Sequence, residues 1–96
     1  MLHWNEGDRN WTCLLDWLDE TDTNAAIAAL EASAGAKGDW DAGGDDYMPT
    51  WGGLMGTYKG VLFTVYTHKS GRIHIGGHPD SGLDLGGLKT ELRRLL

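Results

Sequence analysis

The chain has 96 residues and a formal net charge of −6, and 41% of its residues are hydrophobic and 23% charged. This size and composition exclude a multidomain enzyme and global disorder, and they predict one folded domain over residues 1–96. No apolar run approaches the ~18 residues of a membrane helix, and the first residues lack the basic start and apolar stretch of a secretory signal. The single cysteine, Cys13, cannot form an internal disulfide, so we expect a cytoplasmic protein without a membrane partner.

The charge is distributed unevenly along the chain. Residues 1–50 hold 11 acidic and 2 basic side chains, whereas residues 51–96 hold 3 acidic and 6 basic ones. The acidic half should repel nucleic acid and attract basic surfaces. Acidic side chains also keep small domains soluble without any partner, so the charge alone does not decide between these two roles.

The N-terminal third predicts two helices. Residues 11–20 follow Asn10, a suitable N-cap, and carry apolar side chains at helical spacing: Trp11, Leu14, Leu15 and Leu18. Trp17 stands off that stripe. Residues 25–34 are rich in alanine and end at Gly35, which predicts a second short helix. Cap-forming residues 21–24 separate the two.

Residues 35–60 form a long loop rich in glycine and tryptophan. The β-branched run 61–68 and the run 72–76 predict an antiparallel hairpin. A three-residue connection pairs Tyr66 with His74 and separates the apolar from the polar residues of both strands. The apolar face holds Val61, Phe63, Val65, Ile73 and Ile75. Because a lone hairpin is marginal, we expect a sheet of three or more strands, with a further strand from residues 1–5 or 47–59.

Residues 85–96 predict a C-terminal helix with Asp84 as its cap, because leucines recur at helical spacing. The predicted fold is therefore α+β. Its parts are two N-terminal helices, a long Gly/Trp-rich loop, an antiparallel hairpin within a larger sheet and a C-terminal helix. The helices are expected to pack against one face of that sheet.

Aromatic and acidic residues alternate within the long loop. Five tryptophans are many for 96 residues, and tryptophan and tyrosine are enriched at binding hot spots. Interleaved with acids, they favour a basic protein partner rather than nucleic acid. The candidate partner-binding residues are Asp39, Trp40, Asp41, Asp45, Asp46, Tyr47 and Trp51. The alternative is that these rings pin the loop onto the sheet.

A second candidate surface lies on the polar face of the hairpin and contains Tyr66, His68, Arg72 and His74. No pattern supports a metal, cofactor or catalytic site. The acids from Asp39 onward follow a calcium loop only in part, because its last ligand position holds Thr50 in place of glutamate. The histidines lack the further ligands typical of a zinc site. We therefore predict a binding protein and not an enzyme.

The C-terminal third also carries a family resemblance. It reads Val61 to His68, a turn, Arg72-Ile-His-Ile, His78-Pro-Asp, Gly82-Leu-Asp-Leu and Leu88-Lys-Thr-Glu-Leu. This resembles the hairpin and last helix of HicA-type mRNA interferase toxins, whose fold is similar to double-stranded-RNA-binding domains. Those toxins have a catalytic histidine at the start of the first hairpin strand, where this chain has Thr57-Tyr58-Lys59-Gly60, so the activity is not carried over.

The resulting functional hypothesis is a small acidic protein-binding module. It is an inhibitor or adaptor that docks on a basic, nucleic-acid-binding surface of a partner. An anti-defence or anti-CRISPR-type protein of a phage or mobile element fits the size and charge. One alternative, implied by the resemblance, is a HicA-like RNA-binding protein or ribonuclease that uses the His68/Arg72/His74 face. Another is a protein that binds a small ligand under the Trp-rich loop. The sequence leaves open whether the chain forms a homodimer.

Overall fold

The computed structural model describes residues 2–5, 13–19, 22–38, 40, 53–67 and 72–96. Within these residues the elements are β1 (Leu2–Asn5), β2 (Cys13–Trp17), α1 (Thr23–Ala34), β3 (Leu54–Tyr58), β4 (Val61–Thr67), β5 (Ile73–Gly77) and α2 (Leu85–Leu95). The α+β class agrees with the sequence. The prediction of two N-terminal helices is wrong, because residues 13–17 form a strand and α1 is the one helix in the described part of that region.

The strands form one antiparallel sheet in the order β1-β3-β4-β5-β2. Both regions proposed for an additional strand contribute one, β1 and β3. Lys59 and Gly60 connect β3 to β4, and their φ angles of 51° and 80° are those of a two-residue hairpin turn. The predicted register of the next hairpin is confirmed, since Tyr66 lies opposite His74.

A β-bulge explains why the sequence of β2 resembles a helix. Leu14 lies opposite Gly76 and Asp16 opposite Ile75, so Leu15 is an extra residue in the strand. A bulge interrupts the alternation of side chains between the two faces of a strand. Leu14 and Leu15 are consecutive at this bulge, and Leu18 follows just after the strand, so the three leucines have the spacings of three and four that are typical of an amphipathic helix.

The core lies between the two helices and one face of the sheet, which we call the helix face. Its buried residues are Leu18, Ala26, Leu30, Trp40, Leu54, Tyr58, Phe63, Val65, Ile73, Ile75, Leu88 and Leu92. Two polar contacts also join the layers. The Trp4 indole donates to the Ser33 hydroxyl at 3.1 Å, and Lys89 pairs with Asp16 at 3.2 Å.

Both helices begin at an aspartate cap. The Asp22 carboxylate accepts from the backbone N–H of Ala25, and that of Asp84 accepts from Gly87. α1 ends at Gly35, whose left-handed φ of 67° turns its N–H back to the Glu31 carbonyl. The predicted C-terminal helix is confirmed. Neither described helix has the length and apolarity needed to cross a membrane.

Candidate functional site

The face of the sheet opposite the helices contains a buried aromatic pair. Tyr66 and His74 are opposite each other on β4 and β5, and only 1% and 5% of their surfaces are exposed. Their ring centroids are 5.3 Å apart and nearly perpendicular, a favourable edge-to-face arrangement. The expectation that this polar face is open to solvent is therefore wrong for both residues.

Trp17 extends this aromatic pair to the surface. It lies opposite His74 at the end of the edge strand β2, with ring centroids 6.5 Å apart. Trp17 is 40% exposed and is one of two large exposed apolar side chains in the described part of the chain, the other being Leu96. An indole in this position presents apolar area to any molecule that approaches the edge of the sheet.

Arg72 covers part of the exposed indole. Its guanidinium carbon lies 5.1 Å from the centroid of the Trp17 ring, and its Nη2 donates to Asp19 Oδ1 at 2.8 Å. The side chains of Arg72 and Asp19 are themselves 46% and 70% exposed. The backbones that carry these side chains are also joined. The N–H of Leu18, between Trp17 and Asp19, donates to the carbonyl of Ile73, which follows Arg72, at 2.8 Å. We call Trp17, Asp19 and Arg72, with Tyr66 and His74 beneath them, the Trp17 patch.

Trp40 belongs to the core. Only 8% of its surface is exposed, and its carbonyl oxygen accepts a hydrogen bond of 2.6 Å from the Thr67 hydroxyl. Its indole Nε1 is buried without a hydrogen-bond partner among the described residues. For this one ring of the loop the structure favours the alternative in which aromatic residues anchor the loop to the sheet.

Two glycines bring the beginning and the end of the acidic segment together. A side-chain carbon added to Gly38 would lie 2.6 Å from the Gly53 carbonyl oxygen, so these backbones are in contact although far apart in sequence. Gly53 itself has φ +73°, and a side chain there would collide with the Val65 carbonyl. Both positions therefore require glycine. This backbone contact is called the glycine neck.

The glycine neck and the Trp17 patch lie at the same end of the sheet. Here β2 and β4 end while β3 and β5 begin, as the pairs Trp17–His74, Thr67–Ile73 and Leu54–Val65 show. We call it the Trp17 end. Trp40 and Gly53, the described residues on either side of residues 41–52, both lie at this end. The other predicted site residues lie outside the described residues: Asp39, Asp41, Asp45, Asp46, Tyr47, Trp51 and His68.

The opposite end, the Lys59 end, carries a similar but separate arrangement. Lys59 pairs with Asp84 at 3.0 Å, and its ammonium lies 5.5 Å from the centroid of the Tyr58 ring. Two hydrogen bonds to the Asp84 carboxylate lower its pKa, the larger effect coming from the backbone N–H of Gly87 and the smaller from the Lys59 ammonium. The hydrogen bond that Lys59 donates to the Asp84 carboxylate raises the pKa of Lys59 in turn. Unlike Trp17, Tyr58 is buried, so this end offers no comparable aromatic surface.

Two other kinds of site receive little support. No group of three metal-ligating side chains comes together among the described residues. A shallow concavity of about 400 Å³ lies at the C-terminal end of α1, lined by Ala28, Glu31, Ala32, Gly35, Ala36 and Lys37. Most of the residues that line it have small side chains or none. The Glu31 carboxylate already accepts a hydrogen bond from the Gly38 N–H. It lacks the aromatic lining typical of small-ligand pockets.

Sequence reasoning named Arg72 in the second candidate surface but left out Trp17 and Asp19. Both were assigned to a helix, in which Trp17 was merely a residue off the stripe. The available signal was the tryptophan itself, because a large ring outside an apolar stripe has no place in the predicted core. Comparisons with family models, curated proteins and solved structures gave no match.

Proposed function

We propose that this protein acts by binding another protein, as an inhibitor or adaptor that docks on a basic surface through the Trp17 end of the sheet. The observation that carries the proposal is the exposed indole of Trp17 at the same end of the sheet as Gly38 and Gly53, which flank the segment that holds Asp39, Asp41, Asp45 and Asp46. Trp17 supplies apolar area for affinity, and we infer that this segment supplies negative charge for attraction.

The Trp17 patch has the composition of a binding hot spot. Tryptophan, tyrosine and arginine dominate such spots, which are small, well packed and surrounded by polar groups. The Trp17 ring lies against the buried His74 ring and under the Arg72 guanidinium, so it is held in place before a partner arrives. This lowers the conformational entropy that the side chain loses on binding.

The acidic half supplies steering rather than most of the affinity. Charges at the rim of an interface mainly raise the association rate and exclude wrong partners. A surface that normally holds nucleic acid is basic and would be attracted in this way. A DNA mimic, such as an anti-CRISPR-type protein of a phage or mobile element, is the particular class that the size and charge favour. Its cytoplasmic setting is part of the proposal.

The RNA-binding alternative is less favoured by the geometry. A ribonuclease face would need His74 accessible to RNA, whereas only 5% of the His74 surface is exposed. His68, the third member of that face, lies outside the described residues. The burial of His74 is the observation that ranks this alternative second.

The test is capture of partners from a native lysate, with and without nuclease, followed by binding measurements on the purified partner. We expect a nuclease-resistant protein partner, an affinity that falls in Trp17→Leu, and an association rate that slows and loses salt dependence when Asp45 and Asp46 become Asn. Lys59→Ala is the control for the opposite end. Capture that depends on nucleic acid, or a partner indifferent to all these changes, contradicts the proposal.

A further inference from the structure

Trp17 and Asp19 together hold a guanidinium group. The indole face lies under the guanidinium carbon of Arg72 at 5.1 Å, while the Asp19 carboxylate accepts from its Nη2 at 2.8 Å. One planar cation is thus stacked on a ring and hydrogen-bonded at its edge. Arginine satisfies both requirements at once, whereas the compact ammonium of lysine lacks a face to stack.

The guanidinium in this arrangement is exposed and exchangeable. Nearly half of the Arg72 side chain and most of the Asp19 side chain contact solvent, and ion pairs of this kind add little stability. Arg72 also precedes β5, so its side chain can turn away without breaking the pairing of β5 with β4 or β2. A second guanidinium can therefore compete for its place on Trp17 and Asp19.

We propose that Trp17 and Asp19 form an arginine-binding site, which Arg72 fills in the isolated protein and an arginine of the basic partner fills in the complex. This inference rests on the proposed function, and it names the side chain that the docking surface recognises. The net charge of −6 favours the approach of the basic partner. Arg72 then acts as an internal competitor that weak or non-arginine partners fail to displace.

The experiment uses the full chain and two probes of equal charge, nona-arginine and nona-lysine peptides, at physiological salt. The chain has five tryptophans, so its ¹H–¹⁵N spectrum has five indole N–H peaks, and the peak missing in Trp17→Leu belongs to Trp17. We expect nona-arginine to shift this peak at concentrations where nona-lysine does not. Affinities of both peptides are measured in parallel by calorimetry.

Two variants that each remove one positive charge separate competition from general electrostatics. Arg72→Ala removes the competitor, and Lys59→Ala removes a cation that is also stacked and paired, but at the Lys59 end. Arg72→Ala should bind nona-arginine about two- to five-fold more tightly than Lys59→Ala does, the range expected for an exposed cation–π contact. Trp17→Leu should lower the preference for arginine over lysine by a similar factor.

The outcomes distinguish this inference from the proposed function. If both peptides bind equally and the Trp17 peak stays in place, the arginine site is refuted while docking on basic surfaces stands. If Arg72→Ala binds more weakly than Lys59→Ala, Arg72 is itself a contact and the competition is refuted. If neither peptide binds, the proposed function fails as well. Should Trp17→Leu not fold, the pair of charge variants still decides between these results.

Discussion

Replacing Trp40 separates the two roles that the sequence left open for the aromatic loop. The ring is buried in the core and its carbonyl accepts from Thr67. Trp40→Ala removes that ring and leaves a cavity, so we expect a loss of about 3–5 kcal/mol in the free energy of unfolding. This is a large share of the roughly 5–15 kcal/mol that a domain of this kind has.

Trp40→Phe is the matched variant. It keeps an aromatic ring in the core and removes an indole N–H that has no partner among the described residues. Burying an unpaired donor costs about 1–3 kcal/mol, so its removal offsets the smaller apolar area, and we expect a net change below about 1 kcal/mol. Thr67→Val should cost about 1–3 kcal/mol instead, because it leaves the buried Trp40 carbonyl unpaired.

Urea unfolding followed by far-UV circular dichroism measures all three changes without relying on tryptophan fluorescence. Folded Trp40→Phe should also keep its full affinity for a partner, since the ring is not exposed. The reasoning is refuted if Trp40→Ala unfolds at the same urea concentration as the unmodified chain. It is equally refuted if Trp40→Phe is as damaging as the alanine variant.

Three further outcomes can be measured on the isolated protein. Gly56→Ala should cost about 1–3 kcal/mol in urea unfolding, because the new carbon would collide with the His3 carbonyl and lie 3.0 Å from the Phe63 ring; an unchanged midpoint would contradict this packing. The lowered pKa of Asp84 means that its ionised form contributes stability above its ordinary pKa of 3.8 and loses it as the pH falls through the lower folded value. The stability difference between the unmodified chain and Asp84→Asn should therefore be constant near neutral pH and shrink below pH 3.8, whereas a difference independent of pH would be evidence against this role. Finally, anisotropy titrations with DNA and RNA should show no binding at physiological salt, since phosphates repel the acidic half; micromolar or tighter binding would restore the RNA-binding alternative.

The parts of the fold that local signals specify were predictable. Asp84 precedes a stripe of leucines and predicts the start of α2, and Gly35 follows an alanine-rich run and predicts the end of α1. The register of the β4–β5 hairpin was predictable for a similar reason. A shift by one residue would have mixed apolar and polar side chains on both faces.

The strand β2 was not predictable from its own residues. Leu14, Leu15 and Leu18 have helical spacing, and the bulge at Leu15 removes the regular alternation that would have indicated a strand. The pairing partner that decides the outcome is β5, which lies about 60 residues further along the chain. Pairing with β5 therefore outweighed the local helical pattern. As a result Trp17 lies on the edge strand of the sheet and not on a helix as predicted.

The second surface was predicted in composition but not in exposure. The alternation along β4 and β5 correctly places Tyr66 and His74 together, yet alternation does not say whether a face is covered. A tyrosine and a histidine present enough apolar area to be buried, which removes them from the contact surface and leaves Arg72 there. Partner binding by Asp39, Asp41, Asp45, Asp46, Tyr47 and Trp51 remains a prediction from sequence.

The most direct test of the central claim is an amide chemical-shift map of the labelled protein with its captured partner. The account predicts that the largest changes cluster at the Trp17 end, at Trp17, Asp19, Thr67 and Arg72. Amides near Lys59, Asp84 and Gly77 at the other end should stay in place. A map centred on the Lys59 end, with the Trp17 indole unaffected, would contradict the claim that this end of the sheet is the docking surface.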